Sequence, residues 1–143
     1  MLRHSALFLT LMLSLIAPVS SYAQDIIVSR VVSVYDADTF RVDIEGWPDI
    51  VGKNMPIRVK GVDAPEIRGK CVSEKKDAKV ARDFTRSLLE SGARVELRNL
   101  KRGKYFRFLA DVYIDNVLLS ERLISNGLAR PYDGGRRDGW CEL

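Results

Sequence analysis

Three short runs of this chain carry residue types suited to work on a phosphate: Asp36-Ala37-Asp38-Thr39, Arg58 with Asp63-Ala64-Pro65-Glu66, and Lys104-Tyr105-Phe106-Arg107. Carboxylates from two separate segments can share one hard cation, and two arginines set apart from them can neutralise a phosphate that the cation also touches. That inventory suits metal-assisted hydrolysis of a phosphodiester.

Each cluster also has an ordinary reading. Asp36 and Asp38 lie two apart, so both could approach one ion, but aspartate is equally at home in a hairpin turn. Asp63 and Glu66 bracket a stiffening proline, which could hold one carboxylate on a cation and the other beside a water; the same run is also a plain exit from strand to loop. Arg58 and Asp63 have opposite parity on a regular strand. They meet at one site only if Gly61 or the turn breaks the alternation. Arg107, set among Tyr105, Phe106, Phe108 and Leu109, could stack on a surface. Lys104 and Tyr105 read as a solvated hairpin tip, or as a phosphate contact beside a ring that stacks on a base.

The elements that must position these residues are legible in outline. An apolar, β-branched run from Ile26 and a second from Thr39 to Ile44 predict two strands joined by the acidic turn. Trp47-Pro48 and Gly52 mark a loop, and Met55 to Val62 predicts a third strand ended by Asp63-Ala64-Pro65. A helix capped by Ser73 shows Ala81, Phe84, Thr85 and Leu88 on one face and stops at Gly92. Ala93 to Leu100 predicts a fourth strand, Lys101 to Lys104 a basic turn, and Tyr105 to Ile114 a fifth. A short helix at Leu119 to Ser125 ends at Asn126-Gly127, and the tail beyond reads as ordered coil. This order predicts a β-dominated α+β domain: a five-stranded OB-fold barrel with two to three helices.

Residues 1–23 read as a signal peptide. Arg3 and His4 precede an uncharged apolar run from Ala6 to Val19, and Ser21 and Ala23 form a small-x-small cleavage pattern before Gln24. The run is shorter than the roughly 18 apolar residues of a membrane span, so an exported protein without stable membrane association is expected, periplasmic or secreted. Residues 24–143 then form one domain, expected to be a monomer. The formal charge of +4 falls to about +3 without Arg3, mildly basic and compatible with a polyanionic partner. In an oxidising compartment, Cys71 and Cys141 predict one disulfide; free thiols or a metal pair are the rival readings, and zinc is disfavoured by the single histidine and the lack of C-x-x-C spacing.

Taken jointly and in order, these motifs resemble the thermonuclease family, the staphylococcal-nuclease-like secreted nucleases, from about Val31 to Arg130. The resemblance rests on the strand followed by Asp36-Ala37-Asp38-Thr39, Arg58 with Asp63-Ala64-Pro65-Glu66, a helix, Lys104-Tyr105-Phe106-Arg107, and Leu123 through Asn126-Gly127-Leu128-Ala129. It implies calcium held by Asp38, Asp63 and the Ala64 carbonyl, with Asp36 behind them. It further implies Glu66 as general base, Arg58 and Arg107 on the phosphate, and Lys104, Tyr105 and Tyr132 along the path of DNA or RNA, with products carrying a 3′-phosphate. Ala64 stands where the best-known member has threonine, Phe106 where it has glycine, and a Gly-Gly-Arg-Arg tail replaces its long C-terminal helix. Two other functions fit parts of the pattern: a non-catalytic OB-fold module that binds nucleic acid, and a phosphodiesterase acting on small nucleotides.

Overall fold

The computed structural model describes residues 25–141; the signal peptide expected over residues 1–23 lies outside the described residues. In chain order the elements are β1 (Ile26–Ile27), β2 (Arg30–Asp36), β3 (Thr39–Asp43), α1 (Asp49–Gly52), β4 (Met55–Val59), β5 (Val62–Asp63), α2 (Val72–Leu89), β6 (Val95–Arg102), β7 (Phe108–Ile114), β8 (Val117–Leu118), α3 (Leu119–Ser125) and β9 (Arg130–Pro131).

The first apolar run changes partner in its middle. Val28 donates its N–H to the Val95 carbonyl and Ser29 donates to that of Asp43, each at 2.9 Å. Its first half, β1, therefore pairs with β6, and its second half, β2, pairs with β3. The main sheet runs β1-β6-β7-β4-β3-β2, with β8 beside β7 and the β4–β7 pair parallel. Because both ends of that order come from one run of chain, the sheet curls round on itself. This is the OB-type arrangement expected from the order of elements.

Alternation sets which face of the curl is buried. Phe40, Val42, Ile57, Val59, Leu97, Val112 and Ile114 point inward and are essentially excluded from water. Burying each such side chain contributes roughly 1.5–3 kcal/mol. α2 lies across β2, with Ala78, Ala81, Thr85 and Leu89 buried. Its contact with the sheet is also polar: Thr85 Oγ1 donates to the Ala37 carbonyl at 2.9 Å, fixing the residue between the two aspartates of the acidic turn.

Several boundaries differ from those the sequence predicts. The third strand stops at Val59; Lys60-Gly61 turn the chain, and β5 resumes at Val62 to pair with β9 from the supposedly coiled tail. Gly61 makes this possible, since its φ of +81° lies in the left-handed region that favours glycine. Cys71, not Ser73, occupies the N-cap of α2, and no side chain caps that end. The fifth strand begins at Phe108 rather than Tyr105, because Tyr105 and Phe106 both take positive φ and form the tip of the turn. A short α1 forms in the expected loop after Pro48, whose carbonyl accepts from Val51 and Gly52.

Candidate active site

The acidic turn and the Asp63 loop are sewn together by backbone groups. Asp38 Oδ2 accepts the N–H of Ala64 at 3.1 Å, and Asp36 Oδ1 accepts that of Ile67 at 2.9 Å. The two aspartates thus clamp both ends of the segment that carries Glu66. From the other side Glu74 of α2 turns its buried carboxylate back under the same loop, accepting from Lys70 at 2.8 Å and from Glu66 at 3.4 Å. Gly69 passes so close that a Cβ there would run into the Glu74 carboxyl group.

Arg58, buried at the end of β4, enters between the acids. One terminal nitrogen pairs with Asp38 Oδ1; the other lies 3.8 Å from Asp63 Oδ1 and donates to the Val62 carbonyl at 3.3 Å. The condition set by strand parity is therefore met, because the turn at Gly61 brings Asp63 round to the side of Arg58. Asp63 is engaged further: its Oδ2 accepts from Trp140 Nε1 at 3.0 Å, and Oδ1 lies 3.3 Å from Arg137 Nε. Glu66 keeps its side chain 49% exposed and accepts from Arg137 Nη1 at 2.9 Å.

Burial governs the protonation of this cluster. Asp38, with 1% of its surface exposed, is pushed up to about 6 by loss of hydration, against the pull of Arg58, Thr39 and the Ala64 N–H. Asp36 is raised for the same first reason, although the Ile67 N–H opposes it. Arg58 is lowered, first by burial and then by the like charges of Arg137 and Arg107, with Asp38 opposing. Burial also disfavours charge on Arg137, but Asp63, Tyr132 and Glu66 outweigh it and hold that guanidinium above its usual value.

Arg107 sits where the turn enters β7, braced by a 2.8 Å bond from the Gly103 N–H to its carbonyl. Its Nε is buried without a hydrogen-bond partner. Such a donor is suited to an anion acceptor. Lys104 and Tyr105 stand at the tip of the turn, Tyr105 88% exposed, and line neither cleft at the acid cluster. Tyr132 does line one, a cleft of about 740 Å³ with Arg58 and Lys101 on its walls. Asp63, Ala64 and Glu66 open on a second, of about 510 Å³, shared with Arg137 and Trp140.

Asp36, Asp38, Asp63 and Glu66 offer oxygen donors alone, a set that suits a hard divalent cation. Among the described residues the one place where three potential ligand atoms lie within 4.8 Å of one another is Cys71, Glu74 and Cys141, which is no metal site because the two sulfurs are joined in a disulfide; the acids are held apart by Arg58 and Arg137.

Four residues here escaped the sequence reading: Glu74, Arg130, Arg137 and Trp140. Without its contacts, Glu74 is an ordinary acid in the first turn of a helix, where it offsets the helix dipole. For the other three a signal existed, since a bridge from Cys141 to the segment just beyond Glu66 must draw the residues before Cys141 over the acids.

An OB-type barrel whose acidic turn holds a buried arginine is the architecture of a defined class. Residues 56–138 match the family described as "Staphylococcal nuclease homologue", and the chain belongs to that family. Among its relatives is a "Thermonuclease" from Staphylococcus hyicus, 34% identical over 102 residues; the match takes in 71% of this chain and 57% of that protein.

Proposed function

We propose that this chain is an exported, calcium-dependent endonuclease that hydrolyses phosphodiester bonds in DNA and RNA with low sequence preference, working as a monomer. The observation that carries the reading is the convergence of Asp38 and Asp63 on Arg58, with Glu66 on the loop they hold. Family membership and the thermonuclease relative support it. The Cys71–Cys141 bridge supports an oxidising destination. Among the described residues no helix is long and apolar enough to cross a membrane.

Asp38, Asp63 and the Ala64 carbonyl would hold the cation, with Asp36 fixing the loop behind them. When bound, calcium supplies positive charge for the non-bridging oxygens of the phosphate. Arg58 and Arg107 bind those oxygens and gain strength as negative charge builds on them. Glu66, reachable by solvent, takes a proton from the attacking water. The new bond joins the water oxygen to phosphorus, and the bond to the 5′ oxygen breaks. That oxygen takes up a proton, leaving a 5′-hydroxyl and a 3′-phosphate and regenerating Glu66 as carboxylate. Tyr132 and, further out, Lys104 and Tyr105 line the path of the chain being cut.

Purified protein should degrade long DNA and RNA with calcium, stop with chelator, and lose at least about 100-fold in kcat after Glu66→Gln or Arg58→Ala. Undiminished cleavage by those variants would overturn the assignment. A salt-sensitive complex without cleavage at any divalent ion would instead identify a binding module.

A further inference from the structure

The residues before Cys141 form a strap across the acid cluster. Arg130 on β9 anchors it, donating to the carbonyls of Gly139 at 2.9 Å and Asp138 at 3.4 Å and lying 3.7 Å over the ring of Trp140. Trp140 in turn donates to Asp63, and the disulfide to Cys71 closes the end. Between these anchors Arg137 reaches inward, over the ring of Tyr132 at 5.5 Å, to pair with both Asp63 and Glu66.

The carboxylates that Arg137 holds are the ones assigned above to the cation and to the water. Asp63 Oδ1 lies 3.8 Å from Arg58 and 3.3 Å from Arg137, so the two guanidinium groups meet at one carboxylate oxygen. That shared oxygen offsets their repulsion, and a cation that takes Asp63 over leaves both guanidinium groups facing one place with an external anion as the remaining acceptor. The charge balance points the same way. Asp36, Asp38, Asp63 and Glu66 against Arg58, Arg107 and Arg137 leave one negative charge, and a divalent cation turns this into one positive charge. A single phosphodiester neutralises it. With only two arginines, the same site would be neutral before substrate arrived.

The geometry points to Arg137 as a third phosphate-contacting arginine, delivered by the disulfide-tied strap. It holds Asp63 and Glu66 until cation and water take them over, and then turns to a non-bridging oxygen of the nucleic-acid phosphodiester. This assignment rests on the nuclease reading above.

The test is binding of a single-stranded DNA oligonucleotide in calcium by the Glu66→Gln protein, which is not expected to cut it, over a series of salt concentrations. Adding Arg137→Ala should weaken binding by about tenfold and flatten the slope of log affinity against log salt by about 0.7, the share of one phosphate contact on a single strand. Arg137→Lys should restore the slope, because the slope counts charges. Cys141→Ser, which frees the strap while leaving Cys71 at the helix cap, should weaken binding less in the presence of Arg137→Ala than alone, as expected if the strap acts through Arg137. An unchanged slope and affinity in Arg137→Ala would make the residue merely structural; tighter binding would make it a plug. Either result overturns the proposal while leaving the nuclease reading intact. If the Glu66→Gln parent itself forms no salt-sensitive complex, the nuclease reading fails and this assignment fails with it.

Discussion

Arg58 and Asp63 face each other across 3.8 Å although a regular strand would send them to opposite sides. The relationship depends on Gly61, whose φ of +81° turns the chain and whose carbonyl accepts the Tyr132 N–H at 3.0 Å. A Cβ there would meet nothing nearer than Ser120 Oγ at 4.0 Å, so the penalty for a side chain is conformational and not steric crowding. Gly61→Ala should therefore cost about 1–2 kcal/mol of stability. It should lower kcat/KM by more than that strain alone suggests, because Asp63 and Tyr132 move together. Urea unfolding and steady-state cleavage check both; full activity in a destabilised variant would show that the turn does not set the site.

Asp38 gives the protein a pH dependence of definite sign. Its folded value of about 6 stands above the ordinary 3.8, so the folded chain binds the extra proton between those limits. This contribution to stability is fully present below the unfolded value and is lost as pH rises through about 6. Two outcomes are expected. Calcium affinity, measured by titration calorimetry, should fall steeply below pH 6, with proton release on binding between pH 5 and 6. Asp38→Asn should abolish that release and raise the melting temperature of calcium-free protein more at pH 7.5 than at pH 5. An affinity flat from pH 5 to 7.5 would remove Asp38 from the cation site.

The loop that carries Glu66 is set from beneath by Glu74. Its carboxylate accepts N–H groups from Lys70 and Glu66. Removing it leaves those donors unpaired, at a cost of about 1–3 kcal/mol. Glu74→Ala should thus destabilise the fold and, since it frees the loop holding Glu66, the proposed general base, depress kcat more than KM. Gly69→Ala should act alike through the clash with Glu74. Normal kcat in both variants would separate loop order from catalysis.

These cases mark what was legible in the sequence. Short-range patterns served well: α3 spans Leu119–Ser125 as predicted, the acidic turn lies between two paired strands, and Cys71 and Cys141 are bridged. The OB-type fold followed from the order of strands and helices along the chain. Less legible was whatever depended on long-range contacts. Val28 and Ser29 look like mid-strand residues until β6 and β3 compete for them. Tyr105 and Phe106 have good strand propensity, yet the turn holds both at positive φ. Arg137 and Trp140 lie far from Asp63 in sequence, and nothing in their local pattern distinguishes a functional strap from coil. Only the disulfide pairing, followed through, places them.

That bridge should matter to stability and to the site at once. It closes a loop with a sequence separation of 70, for which chain entropy in the unfolded state assigns about 4 kcal/mol. Cys71 is also the N-cap of α2, directly after Lys70, whose N–H Glu74 accepts, so releasing it loosens more than the tail. Reduction should shift the urea midpoint down strongly. At denaturant concentrations where the reduced protein is still folded, Trp140 should lose its bond to Asp63, which tryptophan fluorescence can follow. A reduced protein with an unchanged midpoint and unchanged Trp140 emission would mean that Arg130 alone, through its carbonyl and ring contacts, suffices to hold the strap.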